Sequence, residues 1–595
     1  MIQIKEEISK NLLEILKELG SSQDQVVVEL PENLQFGDLT SNIAMQISKE
    51  LRISPLELAK EISQRYPKDE YVEKVEVAGP GFLNFYLSDR YLVEDIEEIC
   101  SKEKNPFQID LNIGQRYMVE YTDPNPFKIF HIGHLYTNTI GEAFARLLEA
   151  LGASVSRSNY QGDVGLHVAK TMYGLELLFN QEEISFEELS KRSLIEKVEY
   201  LGEAYILGFN HYDDKKSEEA ISRVRDINYY IFSLYIPTLE KKPFFDEFDN
   251  LGMKEWYLKG KDWCLEYFER IYRRLGTKFN NYYLESDMSN KGLNLVLENT
   301  KPNGKGIFEQ DQGSVIYRAD ESKGLHTRVF VNSDGLPTYE AKELALAFQK
   351  FNDEELDESI TITGNEQSGY FKVVFDAIEQ LQPQFAKKSK HFSHGMVKLP
   401  NSQKMSSRKG EIIGGEWLLN ETRDAVKKLM EESSSVVEGD IDEISDKIAV
   451  AAVKYSFLKV SVGKDLVFDL NKSISFDGDT GPYLLYVYAR CKSLLEGQSF
   501  DCSGSDLNFK NPHIKDLARA ISKYREVLLS SALNYSPNIL CSYLFNLGQA
   551  FNSLYQNVRI LDSQEKESLL LLVNATAEVM KHGLCTLGID VVERM

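Results

Sequence analysis

Two short segments, far apart in the chain, carry side chains suited to phosphate chemistry. The first is His131-Ile132-Gly133-His134, in which two imidazoles flank a glycine. The second, at residues 404–410, reads Lys-Met-Ser-Ser-Arg-Lys-Gly and combines cationic side chains with hydroxyls. A loop of this second kind can close over a polyphosphate and neutralise the charge that develops in a displacement at phosphorus.

The histidine pair taken alone allows two other interpretations, half of a metal site or a pair of helix-capping histidines. A metal site would need a third ligand at a usual spacing, and none follows. The six cysteines are scattered and form no C-x-x-C motif. This pattern disfavours both a structural zinc site and a disulfide framework. We therefore expect no zinc.

The second segment closes a basic window in an acidic chain. The 595 residues have a formal net charge of −24, which argues against non-specific binding to nucleic acid. From Leu381 to Gly410 there are seven Lys or Arg residues and no Asp or Glu. A solvated loop or a basic helix end is the alternative interpretation. The phosphate-binding character of residues 404–410 favours an anion site.

The elements around the histidines predict a parallel sheet. Residues Tyr117–Tyr121 read as a strand, an amphipathic helix follows and ends at Gly152, and Ala153–Asn159 reads as the next strand. In open sheets of this type, ligands lie beyond the carboxyl ends of the strands, beside helix N-termini that attract anions. His131 and His134 fall at such a place. A later strand, Ile360–Thr363, implies that a long insertion interrupts the sheet.

The remaining chain predicts further units. The first hundred residues alternate helices and short strands (Val26–Leu30, Val72–Ala78 and Phe82–Leu87), and the chain after about residue 440 is almost entirely helical. No apolar run approaches the roughly 18 residues of a membrane span, and the first residues read as an amphipathic helix rather than a signal peptide. We expect a cytoplasmic protein with no membrane partner.

In this order and on these elements, the two segments resemble the "HIGH" and "KMSKS" signatures of class I aminoacyl-tRNA synthetases. The surrounding sequence is similar to the arginyl-tRNA synthetase family in particular. The segments that carry this resemblance are residues 119–135, 159–167, 334–339, 364–367, 476–483 and 593–595, and, near the N-terminus, 36–38 and 79–84. The resemblance spans nearly the whole chain except the middle insertion, where it is weak.

The resemblance implies an α/β fold with three domains. These are a small α+β N-terminal domain that contacts tRNA (residues 1–108), a Rossmann-type parallel-sheet catalytic domain (109–440) and an all-α anticodon-binding domain (441–595). The catalytic domain would carry a helical insertion at about residues 175–300. The implied partners are L-arginine, ATP with Mg²⁺, and tRNA(Arg), bound by a monomer. The family typically needs tRNA before it activates the amino acid.

The resemblance also assigns site residues. Glu120 and Asn125 would hold the α-ammonium of arginine, and Tyr339, Glu343 and Gln367 its guanidinium. A carboxylate suits the two-pronged guanidinium, although the family has Asp where this chain has Glu343. Residues that would contact anticodon bases, by stacking or by pairing with phosphate or base edges, are Tyr486, Arg490, Tyr555 and Met595. These aromatics could instead pack a helical core.

The ATP site would combine the two signatures. The implied catalytic residues are Lys128, His131, His134 and Lys404, and the implied ATP contacts are His131, Gly133, His134, Lys404, Met405, Ser406 and Arg408. The second lysine of the family pattern is replaced by Ser407. Members of the family that lack it often carry a lysine ahead of the first histidine, as Lys128 does here. An ammonium can reach phosphate from either side of the site.

Two other classes of function remain open from sequence alone. One is another enzyme, such as a cysteine-specific class I synthetase or a small nucleotidylyltransferase. The former would be expected to bring zinc ligands, and the latter lacks a helical tail. The other is a non-catalytic tRNA-binding paralogue, against which the presence of His131, His134 and Lys404 argues.

Overall fold

The structure is a computed structural model that describes residues 1–31, 36–101, 105–400, 413–432, 440–501 and 507–595. Residues 404–410 therefore lie outside the described residues, and with them Lys404, Met405, Ser406 and Arg408. Among the helices in the described ranges, none is long and apolar enough to cross a membrane.

The N-terminal part is a mixture of helices and a small antiparallel sheet. Its elements are α1 (Ile2–Glu18), β1 (Leu39–Ser41), α2 (Ile43–Leu51), α3 (Pro55–Arg65), β2 (Val72–Ala78), β3 (Phe82–Leu87) and α4 (Asp89–Cys100). The strand order is β1-β3-β2, antiparallel throughout. Serine side chains cap α3 and α4 at their N-termini, where unpaired backbone N–H groups need acceptors.

The predicted strand Val26–Leu30 is wrong as a regular element. Only Glu29 is bridged, through two backbone hydrogen bonds with Thr40 (2.8 and 2.9 Å). A short apolar run with a proline at its end can be buried without a strand partner along its length. The apolar side chains from Met1 to Leu87 form one core, whereas Leu92, Ile96 and Ile99 of α4 pack into the larger core of the rest of the chain.

The central part is built on a five-stranded parallel sheet, which confirms the parallel-sheet prediction. Its strands are β4 (Arg116–Glu120), β5 (Ser154–Gln161), β6 (Asn281–Leu284), β10 (Glu358–Gly364) and β11 (Ser389–His394). The order is β11-β10-β4-β5-β6. After β4, the chain adds β5 and β6 on one side of the sheet and later adds β10 and β11 on the other side. The strand order therefore reverses between β4 and β10, the place where such sheets form a crevice for ligands.

Helices connect and cover the strands. They are α5 (Ile132–Ala150), α6 (Leu166–Glu182), α7 (Phe186–Ser190), α8 (Leu194–Phe209), α9 (Glu218–Ser233), α10 (Phe245–Leu251), α11 (Met253–Arg274), α12 (Glu285–Glu298), α13 (Tyr339–Asp353), α14 (Ser368–Leu381), α15 (Pro383–Lys388) and α16 (Gly415–Glu432). Nearly every side chain of α5 is buried, so this helix lies in the interior of the molecule. The histidine pair is at its N-terminus.

The interruption of the sheet is helical, as the sequence indicates, but it ends earlier than residue 300. Helices α6 to α11 lie between β5 and β6, and β6 is already an edge strand of the main sheet, paired in parallel with β5. This strand has only four residues, Asn281-Tyr282-Tyr283-Leu284, which is too few to show a clear hydrophobic pattern in the sequence. A second, antiparallel sheet of β7 (Phe308–Asp311), β8 (Ser314–Tyr317) and β9 (Arg328–Val331) then precedes α13 and was not predicted.

The C-terminal part is helical, as predicted. A two-residue strand β12 (Val397–Lys398) pairs with β13 (Leu466–Val467) and joins it to the central part. The helices are α17 (Ile441–Leu458), α18 (Leu470–Ser473), α19 (Gly481–Leu495), α20 (Pro512–Ser522), α21 (Tyr524–Leu533), α22 (Pro537–Asn557) and α23 (Lys566–Thr586). Their apolar faces continue the core of the central part without a break.

Candidate active site

The candidate site lies at the carboxyl ends of β4 and β10, where the strand order reverses. Strand β4 ends at Glu120, and a ten-residue loop leads from it to His131, the N-cap of α5. This loop holds three non-glycine residues with positive φ, Thr122 (81°), Asp123 (44°) and Phe127 (67°). Such conformations are uncommon and cluster at functional sites. Helix α5 holds the loop in place, because the Asn138 amide donates to the Thr122 hydroxyl (2.9 Å).

The histidine pair is rigid and neutral. His131 Nδ1 accepts a hydrogen bond from the backbone N–H of Gly133 (3.1 Å), and His134 Nδ1 accepts one from the N–H of His131 (3.3 Å). The two rings stack with centroids 3.5 Å apart. Burial lowers the pKa of His131 to about 4 and that of His134 well below its usual range. Both imidazoles can therefore donate from a free ring nitrogen without carrying charge.

Gly133 has no room for a side chain. A Cβ placed there would come within 2.9 Å of the ring of His131. The glycine thus allows the two imidazoles to approach each other over the helix N-terminus. The helix-capping interpretation of the histidines is borne out as geometry, and it leaves their outer ring nitrogens available for a ligand.

Lys128 lies beside this pair. Its ammonium is half-buried, 5.6 Å from the centroid of the Tyr205 ring, and it forms no ion pair with any carboxylate in the described ranges. Burial, and next the charge of Lys170, lower the pKa of Lys128. The charge of Lys128 in turn contributes to lowering the pKa of His131, His134 and His167, so all four groups share one region.

The described residues that follow residues 404–410 in the chain contact the segment that carries the histidine pair. The N–H of Ile132 donates to the carbonyl of Ile413 (2.9 Å), and the N–H of Gly415 donates to the carbonyl of Phe130 (2.7 Å). Residues 413–415 therefore lie directly beside the start of α5. The position of Lys404 to Arg408 stays a prediction.

A second region, next to the first, is a buried acidic pocket. Glu120 is 1% exposed and lies 2.6 Å from Lys350 Nζ. Glu343, on α13, is 5% exposed, and burial, together with the charge of Glu120, raises its pKa to about 8. Burial raises the pKa of Asp123 well above its usual range, again with a contribution from Glu120. A buried cluster of carboxylates whose charge is only partly compensated invites a cationic ligand.

Tyr339 and Asn125 border this pocket. Tyr339 begins α13, is 37% exposed, and its hydroxyl hydrogen-bonds Glu343, four residues on. Asn125 lies against Gly162, since a Cβ on Gly162 would fall 2.1 Å from Asn125 Oδ1. The same position lies near Glu285, whose carboxylate pairs with Lys342. The structure thus brings Glu120, Asn125, Tyr339 and Glu343 together.

Gln367 lies at the same edge of the sheet. It ends the 3₁₀ turn Asn365–Gln367, which follows β10 directly, and it is half-buried. Its neighbour along the chain, Tyr370, packs on Tyr339 with ring centroids 5.1 Å apart and donates its hydroxyl to the Tyr339 carbonyl (3.2 Å). The start of α14 is therefore held against the start of α13.

A separate cavity in the helical part gathers all four residues expected to contact RNA. It has a volume of about 790 Å³ and is lined by Tyr486, Arg490, Tyr555 and Met595, among others. The guanidinium of Arg490 lies between two rings, 4.3 Å from the centroid of Tyr486 and 4.6 Å from that of Tyr555. Tyr555 is 40% exposed. These aromatics border an open cavity and are available to a stacked base.

Several residues of the site were missed from the sequence. Lys350 neutralises Glu120, and Lys342 neutralises Glu285. Tyr160 has a buried hydroxyl with no hydrogen-bond partner in the described part of the chain, and nearby carboxylates raise its pKa further. Asp163 accepts from the Ser286 N–H (2.9 Å) and pairs with Lys261 (3.2 Å). The resemblance covered residues 159–167, which was a signal for Tyr160 and Asp163.

The described residues offer no group of three or more His, Cys, Asp or Glu side chains arranged to hold a metal ion.

Comparison with known families covers almost the whole chain. The family model for the N-terminal domain of arginyl tRNA synthetase matches residues 3–87, that for the catalytic domain of class I (R) tRNA synthetases matches 95–470, and that for the DALR anticodon binding domain matches 484–595. The residues matched by these family models include those of the acidic pocket, the histidine pair and the C-terminal cavity.

Individual relatives agree. The chain is 29% identical over 598 aligned residues to arginine–tRNA ligase of Clostridium kluyveri, covering 99% of each chain, and 29% identical to that of Fusobacterium nucleatum, covering 96% and 95%. The fold is that of arginyl-tRNA synthetase of Thermus thermophilus (TM-score 0.75, 23% identity, 99% and 100% covered) and of Plasmodium falciparum (0.76, 21%, 100% and 99%). With a catalytic-domain model matching more than half of its residues, the chain belongs to the arginyl-tRNA synthetase family of class I.

Proposed function

We propose that this chain joins L-arginine to tRNA(Arg) at the expense of ATP. In the first step the arginine carboxylate attacks the α-phosphorus in line, a P–O bond forms, and pyrophosphate leaves with the electron pair of the broken P–O bond. In the second step a terminal ribose hydroxyl of the tRNA attacks the activated carbonyl, loses its proton, and AMP leaves. Catalysis of this kind rests on positioning and charge stabilisation.

The observation that carries the proposal is the buried acidic pocket directly beside a neutral histidine pair. Arginine brings two cationic groups, and the pocket has the carboxylates of Glu120 and Glu343 to receive them. In the proposed pose Glu120 and Asn125 hold the α-ammonium, and Tyr339, Glu343 and Gln367 hold the guanidinium. The arginine carboxylate then faces the start of α5, where the ATP phosphates would lie.

ATP is proposed to bind over the N-terminus of α5. Neutral His131 and His134 would donate hydrogen bonds to phosphate oxygens, Gly133 would let the nucleotide approach the backbone, and Lys404, Met405, Ser406 and Arg408 would close from the other side. Magnesium belongs to this proposal as part of the ATP complex. The carboxylates that line the pocket are engaged with Lys342 and Lys350, so the phosphates rather than a protein cage would hold the ion.

Lys128 is proposed to supply the charge that Ser407 lacks. Its support is geometric: a half-buried ammonium next to His131, without a carboxylate partner in the described ranges. Burial lowers the pKa of Lys128, and bound phosphates would raise it again. A phosphate oxygen of ATP is the proposed partner of this ammonium.

The tRNA is proposed to bind across the three parts of the chain. Tyr486, Arg490, Tyr555 and Met595 would receive anticodon bases in the C-terminal cavity, and the N-terminal part would contact the outer corner of the tRNA. We propose the division into 1–108, 109–440 and 441–595 for these roles and, from the resemblance to the family, action as a monomer.

Charging assays with a panel of amino acids test the proposal. Purified protein, ATP, magnesium and total tRNA should incorporate arginine and leave cysteine, glutamine and methionine uncharged. ATP–pyrophosphate exchange with arginine should require tRNA. Charging with another amino acid would replace the proposal by the other-synthetase alternative, and no charging at all would favour the non-catalytic paralogue. Robust exchange without tRNA would contradict only the tRNA requirement.

A further inference from the structure

Lys350 is a buried cation at the acidic pocket that the proposed chemistry does not use. It lies two turns after Glu343 on the same face of α13, and only 3% of it is exposed. Its Nζ is 2.6 Å from Glu120 Oε2 and 3.4 Å from the hydroxyl of Thr361. Thr361 is the residue of β10 directly beside Glu120 of β4. Lys350 therefore covers the point where the strand order reverses.

The loop after β4 and the elements β5, β6, α12, α13 and α14 bring titratable groups to the region of Glu120. These groups are Asp123 in the loop after β4, Tyr160 on β5, Tyr283 on β6, Glu285 on α12, Tyr339, Lys342, Glu343 and Lys350 on α13, and Tyr370 on α14. Four of them, counting Glu120, are carboxyls. Lys350 opposes the upward pKa shifts of both Asp123 and Glu343, and Lys342 does the same for Glu285.

Glu120 has bonding capacity left over. Although Lys350 Nζ is close to Glu120 Oε2, no hydrogen bond of good geometry reaches that oxygen from the described residues. A fixed cation offsets the repulsion between a buried carboxylate and the carboxylates around it. The ion pair thus holds Glu120 in place and leaves its Oε2 atom open to a second cation.

We propose that Lys350 is a positioning residue for the α-ammonium of arginine, acting through Glu120, which it holds in place at the carboxyl end of β4. The inference rests on the proposed function. The competing account is an ion pair that only stabilises the fold. Buried ion pairs are weak evidence for stability, so the two accounts must be separated by a measurement that depends on the ammonium alone.

The measurement compares arginine with 5-guanidinopentanoate, which lacks only the α-ammonium. The KM for arginine and the inhibition constant of the analogue are measured in tRNA charging by the full chain between pH 6.5 and 8.5, and their ratio gives the preference for the ammonium. Both molecules carry the guanidinium, so the titration of Glu343 near pH 8 strengthens both as pH rises and cancels in the ratio. Wild type should keep its preference constant within twofold across this range.

The variant Lys350→Met should lose at least tenfold of the preference across this pH range, because Glu120 would no longer be held in place beside the ammonium. Lys350→Arg, which keeps the charge, should stay within about threefold of wild type. The matched control is Lys291→Met, which removes an exposed lysine on α12 that hydrogen-bonds Gln349 of α13. It should leave the preference unchanged.

Two results would overturn the proposal. One is an equal loss for arginine and the analogue in Lys350→Met, which would make the pair structural. The other is a loss of preference in Lys350→Arg as large as that in Lys350→Met, which would mean that the cation at this position does not act on Glu120. The proposed function fails separately, if wild type does not charge tRNA with arginine.

Discussion

At the scale of single residues, burial decides what each group of the site can do. His131 and His134 are kept neutral because their rings are removed from water, and a neutral imidazole near phosphates donates without adding charge. In the proposed ATP complex, the positive charge would then come from lysine. Lys128 is half-buried beside His131 and forms no ion pair with any carboxylate in the part of the chain described. The proposed site would therefore use different residues for hydrogen bonding and for charge stabilisation.

Lys128→Ala tests this separation. Losing a charge that contacts the transition state should lower the rate of adenylate formation about 10²–10³-fold, with a smaller effect on arginine affinity. Adding Ser407→Lys should restore part of the rate. The control variant is Lys191→Ala, which removes an exposed lysine paired with Glu187. Single-turnover adenylate formation with tRNA present is the measurement, and a change of less than about threefold in Lys128→Ala would refute the compensation.

At the scale of elements, α5 and the loop before it form one unit. Tyr121 is fully buried against α5 and donates its hydroxyl to Glu142 (2.6 Å), a carboxylate that also pairs with Arg146 (2.6 Å) and Arg157 (3.1 Å). Helix α5 can approach Tyr121 this closely because residue 141 is glycine. The strained residues Thr122 and Asp123 follow Tyr121 directly, so the position of this ring sets the course of the loop.

Gly141→Ala should disrupt that unit. The added Cβ would lie 2.1 Å from Tyr121 Cγ, an overlap that forces the ring to move. We expect a loss of about 1–3 kcal/mol in the free energy of unfolding, the usual cost of overpacking, together with a fall in kcat/KM for arginine. Denaturant unfolding and charging kinetics check both.

The matched control for this change is Gly369→Ala on α14, where nothing lies within 4 Å of the added Cβ. Alanine in an open helical position should stabilise by about 0.4–1 kcal/mol through the unfolded state. Equal effects of the two substitutions would show that Tyr121 does not depend on the glycine.

At the scale of the whole molecule, the two candidate sites occupy different parts of one continuous core. The acidic pocket lies on the parallel sheet, and the cavity around Arg490 lies among the C-terminal helices. The N-terminal part is attached to those helices by ion pairs, Asp38 with Arg519 (2.5 Å) and Asp95 with Arg525 (2.7 Å). A change in the cavity should therefore act on tRNA binding and leave small-substrate binding alone.

Arg490→Ala should raise the KM for tRNA about 10–100-fold, since stacking at such a site contributes about 1–3 kcal/mol per base. The KM for arginine and for ATP should stay within twofold. Lys447→Ala, which removes an exposed lysine of α17, controls for the loss of one positive charge. A comparable rise in the KM for arginine would mean that Arg490 supports the fold rather than the tRNA.

The sequence by itself determined the elements with strong periodicity and the motifs with local meaning. Strands β2 and β3, the helix after the first signature, the parallel sheet and the helical C-terminal part follow from patterns of a few residues, because local sterics and one-sided burial specify them. The same holds for the histidine pair, whose role depends on a helix start that the sequence marks. The predicted strand Val26–Leu30 failed because an apolar run does not specify whether a partner strand is present.

Only the tertiary structure decided which distant residues meet. Lys350 reaches Glu120 across 230 positions of sequence, and Glu343 gains its raised pKa from burial beside that carboxylate. The antiparallel sheet β7–β9 and the edge strand β6 became visible only through their partners. Charge compensation and strand pairing are properties of neighbours in space, and the free energy that selects them arises when the chain packs. A pattern along the sequence therefore marks the candidates for a site, whereas packing decides their partners and their charge.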